Sequence, residues 1–321
     1  MLASPAVAEP VFVPLDARPE RRPLLGYAMV MTAAALWAVN GTVSKVILAS
    51  GLSSLRLAEI RSTGAFLLLA IVLAAARPAS LRLRRRELPH LVFFGAVGLA
   101  LVQWFYFLAI HRLAIGIALL IEYLAPVLVA LWARFVMHQR VRSRIWVALA
   151  LALIGLSLVV EIWSGLSLDA AGVAAALAGA MSYALYLLLA EHGVGGRDPV
   201  SLVCFGFLFA ALVWAVVQPW WTFPGNVVGD DISLRGHLAS WHLPVWSLMA
   251  WMVVLGTIVP FGLLVASLRH VAATRVAIVA MLEPVVATVV AYAWLGEALT
   301  RVQLAGGGVV LAAIFLAQTA R

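Results

Sequence analysis

The sequence predicts an all-α integral membrane protein with ten transmembrane helices arranged as a 5+5 inverted repeat. Three observations predict it. Of the 321 residues, 64% are hydrophobic and 11% are charged, whereas a soluble domain is about half apolar and about a quarter charged. Mean hydropathy is +1.05. Ten separate stretches are long enough to cross a bilayer, and the first half of the chain resembles the second. A water-soluble globule of this composition could not cover its own surface. A soluble enzyme, a nucleic-acid-binding domain and a disordered protein are therefore excluded.

The elements follow in chain order. Residues 1–23 hold Pro5, Pro10, Pro14, Pro19 and Pro23 with Arg18, Arg21 and Arg22, the composition of a disordered polar tail rather than a cleavable leader. The ten candidate spans are 24–47, 57–76, 88–110, 115–136, 143–163, 169–191, 199–220, 245–267, 272–295 and 301–319. Each approaches the roughly 20 apolar residues that a hydrocarbon core requires. Asp198-Pro199 reads as an N-cap followed by proline at the first helical position. Thr300 and Gln303 fit a capping box. The one long connection, 222–244, is expected to be a polar loop. Cys204 is the sole cysteine, so no intramolecular disulfide and no cysteine zinc site can form.

Net charge is +8. In a membrane protein this excess belongs on the cytoplasmic loops. With the N-terminus inside, 16 of the 22 lysines and arginines fall on the inner side. The expected topology places both termini in the cytoplasm of a cell (inner) membrane. Trp163, Trp220, Trp221, Trp241, Trp246 and Trp294 then lie near outer helix ends, as an interfacial aromatic belt should.

The repeat has a definite register. Leu113–Pro126 aligns with Val271–Pro284 at an offset of 158, and Gly98 meets Gly256 at the same offset. Upstream, Gly26 and Trp37 meet Gly172 and Tyr183 at an offset of 146. The two offsets differ by 12, which implies an insertion in the second half, placed in loop 222–244. The halves are 24–163 and 169–319, with five helices each. Five is odd, so the second half enters the membrane upside down. Inverted repeats about a midplane site are a transporter architecture.

Residues Met281-Leu282-Glu283-Pro284 through Leu295-Gly296-Glu297-Ala298-Leu299 to Gln303 and Gly306 resemble the second repeat of the EamA family, within the drug/metabolite transporter superfamily. The likeness covers about residues 24–319. The first repeat, with Gly116-Ile117-Ala118 and Ile121-Glu122-Tyr123-Leu124-Ala125-Pro126, looks like the threonine and homoserine exporter branch. The resemblance implies ten helices, an inverted repeat, a central cavity and solute efflux. Gln139 stands where the second half has Glu297, so the loop glutamate is given no transport role.

Glu122 is the sharpest candidate for chemistry. An ionised carboxylate in hydrocarbon costs about 3 kcal/mol or more, so such a group faces a wet cavity or is protonated. Pro126 has no N–H, and the Glu122 carbonyl four residues earlier loses its helical partner. One turn then offers a carboxylate and a free carbonyl to an ammonium group or a proton. Glu283, beside Pro284, aligns with Ala125 and not with Glu122. It is a second candidate for proton coupling, or else caps a kinked helix. Trp37, Asn40, Gln103, Trp104, Tyr106, Tyr183 and Tyr186 combine apolar bodies with polar handles and suit a pocket for a small amphipathic solute. Ordinary helix packing is the competing explanation for each. Snorkelling accounts for Lys45, Arg61 and Arg275; Arg61 is the deepest and the one that could meet a solute carboxylate. His237 and His242 lie five apart in the loop with Asp230 and Asp231, which is not a metal-binding helical spacing.

The function these readings favour is a secondary transporter exporting a small metabolite, an amino acid or related compound, by alternating access with a proton as the candidate coupling ion. An uncoupled facilitator or exchanger of another metabolite or drug is the alternative. An intramembrane enzyme is less favoured, since HExxH and GxSxG are both absent. No cofactor is called for, and the lack of GxxxxGK[ST] excludes ATP drive within the chain. The expected partners are the solute and membrane lipids, with no nucleic acid. Gly172, Ala176, Ala180, Ala184 and Gly306, Gly307, Gly308 allow close helix approach, and homodimerisation is one use of that.

Overall fold

The computed structural model describes residues 22–110, 112–113, 115–164, 169–296, 298 and 300–319. Most of the expected tail, together with Glu297 and Leu299, lies outside the described residues. Among the described residues, ten helices are long and apolar enough to cross a membrane. They are Pro23–Leu48, Ser54–Ala76, Leu88–Ala109, Ile117–Phe135, Ser143–Val160, Ala170–Gly193, Pro199–Val217, Val245–Ser267, Ala273–Leu295 and Arg301–Thr319. They are called here the first to tenth spans.

Local chemistry sets their ends. The Asp198 carboxylate accepts from the N–H groups of Val200 and Ser201 at 3.1 and 3.2 Å, with Pro199 in the first turn. Thr300 and Gln303 bond reciprocally, each side chain accepting from the other's backbone N–H at 3.1 Å. Both satisfy donors that a helix start leaves orphaned. Gly296 ends the ninth span in the left-handed region at φ 75°, where a side chain would be strained.

Three spans are wound wider over part of their length. Phe94–Ala100, Val254–Ile258 and Ala291–Leu295 are π-helical. Such bulges are rare and cluster at functional positions. Two of the three contain Gly98 and Gly256, the residues paired when the two halves of the sequence are aligned. A Cβ on Gly256 would fall 2.1 Å from Asn40 Oδ1, so the missing side chain makes room for that amide. The fifth and tenth spans approach backbone to backbone: a Cβ on Gly155 would lie 2.8 Å from the Gly306 carbonyl oxygen, and one on Gly306 2.7 Å from that of Gly155. Gly306 therefore serves helix contact within the chain. In the sixth span Ala176 packs with Ala109, Leu113, Ile117 and Ala118.

The connection 222–244 differs from the expected polar loop. It contains short 3-10 turns and an antiparallel pair, Asp231–Ser233 against His242–Pro244. Phe223, Val227, Ile232, Leu234 and Leu238 turn inward onto Val43, Ile47 and Met252. Alternating polar and apolar residues hide this underside in a sequence scan. Trp294 Nε1 donates to the Leu234 carbonyl at 2.8 Å, which ties the hairpin to the end of the ninth span.

Two arginines fasten the second span to the seventh. At the hairpin side, Arg56 opens the second span. Its guanidinium binds Glu59 at 2.6 Å, the carbonyls of Gln218 and Pro219 at 3.2 and 3.3 Å, and the Thr222 hydroxyl. At the opposite side, Arg197 precedes the seventh span. It binds Glu87, Ser201 Oγ at 2.8 Å, and the carbonyls of Ser80 and Arg82 at 2.9 and 3.1 Å. The start of each span is thus bound to the segment leaving the other, and the two run antiparallel. Likewise Thr300, before the tenth span, donates to Glu161 after the fifth at 2.5 Å.

Candidate functional site

Proline breaks two spans and places the acids. The fourth span runs as Ile115–Glu122 and then Ala125–Phe135, with Pro126 in the opening turn of the second piece. The ninth runs as Ala273–Ala280 and then Leu282–Val290, with Pro284 in the corresponding place. Glu122 is the last residue of the first half-helix, where exposed carbonyls carry partial negative charge and attract cations. Glu283 lies in the first turn of the second half-helix, where N–H groups favour an anion. Two carboxylates in one membrane interior thus have opposite dipolar surroundings.

The two acids interact electrostatically although the alignment of the two halves puts them at different helical positions. Glu283 Oε2 accepts from Tyr123 OH at 3.0 Å. Glu283 also lies within electrostatic range of Glu122, Tyr106 and Tyr183. Arg61 lies within electrostatic range of Glu283 as well. Arg61 is anchored by Nε, which donates to Thr257 Oγ1 at 3.1 Å. The Thr257 hydroxyl donates in turn to the Met252 carbonyl at 2.9 Å, across the π segment of the eighth span. Arg61, Tyr106, Glu122, Tyr183 and Glu283 are all half-buried although they lie within the spans. Glu122 itself has no hydrogen-bond partner among the described residues.

An aromatic wall adjoins this cluster. Phe261 of the eighth span is its centre. Trp37 packs edge-on against Phe261 with ring centroids 5.0 Å apart, and Tyr186 and Phe207 do so at 5.8 and 5.2 Å. Tyr183 stacks on Tyr186 at 6.1 Å, and Phe94 stacks on Tyr186 at 5.5 Å. Trp37 Nε1, Asn40 Oδ1, Gln103 Oε1 and Tyr186 OH are buried polar atoms without a partner among the described residues. Each such atom costs about 1–3 kcal/mol unless something fills its hydrogen bond. Gln103 Nε2 does bond, to the Leu99 carbonyl of its own helix at 3.2 Å.

The structure brings Trp37, Tyr106, Glu122, Tyr183, Tyr186 and Glu283 into one region, with Asn40 beside the eighth-span bulge. Trp104 stands apart: it is 37% exposed and stacks on Trp214 at 6.1 Å. An apolar groove of about 340 Å³ between the fourth and fifth spans, lined by Leu120, Ile121, Leu124, Leu153, Ile154 and Ser157, contains none of the charged residues. Sequence reasoning missed Tyr123, Thr257 and Phe261. Tyr123 was signalled by its place beside Glu122 in a broken helix. Thr257 and Phe261 carry no local signal, since their roles depend on which helix the fold sets opposite them.

Comparison with known proteins agrees with this architecture. The threonine/homoserine exporter RhtA of Escherichia coli (strain K12) is 28% identical over 266 residues, 83% of this chain and 80% of that protein. Its counterpart in Salmonella typhimurium (strain LT2) matches to the same extent. An uncharacterized transporter of Archaeoglobus fulgidus is 29% identical over 212 residues, 66% of this chain and 70% of its own length. A solved crystal structure superposes with a TM-score of 0.75 at 16% identity, over 91% of this chain and 96% of that one, which shows a shared fold. Residues 24–161 and again 170–319 match the EamA-like transporter family, and the chain belongs to that family.

Proposed function

We propose that this protein is a secondary transporter that exports an amino acid or a related small metabolite by alternating access, coupled to proton entry. The observation that carries the reading is the pair of proline-broken spans. They put Glu122 at the end of one half-helix and Glu283 in the first turn of another, each half-buried within a span. Discontinuous helices with ionisable groups in the membrane mark substrate and ion sites in transporters. The names of the bacterial relatives favour amino acids as the solute.

The two halves are read as an inverted repeat, 24–163 and 169–319. The family match falls twice, once in each half. The second and seventh spans run antiparallel, as do the fifth and tenth. Both members of each pair occupy the same place in their halves. We place both termini in the cytoplasm of the inner membrane, with the hairpin outside, because the basic residues concentrate on the tail side.

Coupling is assigned to Glu122 with Glu283. A carboxylate without a hydrogen-bond partner is tolerable in a dry interior only when protonated, and it ionises when the space opens to water. A group that changes state with wetness can move one proton per cycle. The wall of Trp37, Tyr106, Tyr183 and Tyr186, with Asn40 and Gln103, supplies apolar contact and unfilled hydrogen bonds to the solute. In proteoliposomes under an imposed pH gradient, labelled L-threonine should move in a saturable, gradient-dependent manner. Glu122→Gln should abolish that dependence. Wild-type gradient-driven flux in the variant would remove Glu122 from the coupling, and flux indifferent to the gradient in both proteins would indicate an uncoupled facilitator.

A further inference from the structure

The connection between the fourth and fifth spans turns back on the end of the fourth. His138 takes a left-handed backbone at φ 53°, and the Gln139 N–H donates to the Ala133 carbonyl at 2.8 Å. This turn sets Gln139, Arg140 and Arg142 around a cavity of about 160 Å³, which they share with Thr274 and Arg275 in the opening turn of the ninth span. The buried Ala133 and Ile145 also line it. Arg275 is oriented by its Nη1, which donates to Tyr27 OH of the first span at 3.5 Å. Three of the nine lining residues are arginines, drawn from two separate segments, and none of the nine is acidic. Next to the cavity, the Glu191 carboxylate accepts from the Ala273 N–H at 2.9 Å and satisfies a donor of the ninth span's start.

Three guanidiniums gathered on one cavity repel one another, and an anion among them reverses the sign of the interaction. Their planar forks match the oxygens of a phosphate, and Gln139 and Thr274 add uncharged donors. The surroundings select the source of that phosphate. Leu131, Trp132, Phe135, Val136 and Met137, which lead into the turn, are all exposed. Apolar side chains exposed at the end of a span meet lipid, and a tryptophan there sits at the headgroup level. The cavity therefore has a charged lining beside an apolar approach. A ligand with an anionic head and an apolar tail uses both, whereas a free anion uses one. Topology alone asks only for a number of basic residues and not for their convergence. Arg82, Arg84, Arg85 and Arg86 meet that requirement as an exposed run.

We propose that this cavity seats the phosphate of an anionic phospholipid, held by Arg140, Arg142 and Arg275, with the acyl chains lying along Trp132 and Phe135. Basic pockets between membrane helices hold such head groups in the cytoplasmic leaflet. The seat joins residues 139–142 of the first half to residues 272–275 of the second. A bound lipid therefore ties the two halves together at this face of the membrane. The site does not depend on which solute the protein carries.

The test is lipid titration of the full chain in detergent, with bound lipid counted by native mass spectrometry. The probes are dioleoylphosphatidylglycerol and dioleoylphosphatidylcholine. Wild type should bind one phosphatidylglycerol at least about tenfold more tightly than phosphatidylcholine. An arginine at the membrane surface is worth about fivefold in affinity, so Arg140→Gln with Arg142→Gln should weaken phosphatidylglycerol by about 25-fold. Arg84→Gln with Arg85→Gln removes the same charge from the exposed run and should change the affinity by less than about twofold. Arg140→Gln alone should cost about fivefold and serves if the double variant fails to assemble. Equal affinity for the two lipids would overturn the site. Equal losses in the two double variants would overturn it as well, because bulk charge would then account for the binding. Inorganic phosphate at the lipid's own concentration should not displace it; displacement would assign the cavity to a soluble anion and overturn the lipid.

Discussion

Phe261 shows how much of the site depends on one side chain with no charge. Three rings from three other spans, Trp37, Tyr186 and Phe207, lean edge-on against it. Edge-to-face pairs contribute about 0.5–1.5 kcal/mol each beyond simple burial. Phe261→Ala removes all three contacts at once and should cost about 3 kcal/mol, read as a lower melting temperature in detergent. Phe261→Leu, which keeps the volume, should lose far less. An unchanged melt for the alanine variant would show that the rings hold one another without their keystone. Residues of this sort are illegible in a sequence. The value of Phe261 lies in the partners that the fold brings to it, whereas Glu122 and Glu283 stand out because a charge in an apolar run is costly wherever it points.

At the scale of the element, the two broken spans carry the information. Pro126 and Pro284 announced the breaks, because a residue without an N–H must release a carbonyl one turn back. The N-caps at Asp198 and Thr300 were legible for a similar reason: capping is a local bargain between a side chain and its own helix. The π segments were not, since Phe94–Ala100 and Val254–Ile258 are apolar runs with no marker of their wider winding. Nor was the hairpin over 222–244, whose apolar underside exists only against the helices it covers. Pro126→Ala returns an N–H to the Glu122 carbonyl. It should raise thermal stability by on the order of 1 kcal/mol and slow transport, as measured by melting and counterflow of the same preparation. Full transport in that variant would detach the break from function.

Across the whole molecule, the arginine clasps set what can move. The Glu59 side chain is fully buried, and among the described residues its ionic partner is Arg56 at 2.6 Å. Arg56→Ala strands that carboxylate and should destabilise by about 3–5 kcal/mol. Removing both, as Arg56→Ala with Glu59→Ala, should recover a large part of the loss, and a double variant no better than the single would refute the pairing as the cause. The consequence reaches beyond stability. Two antiparallel rods lashed at both ends cannot splay at either end, however the solute space opens. The second and seventh spans thus make a single post, pinned at its top and at its foot, around which the other helices are arranged.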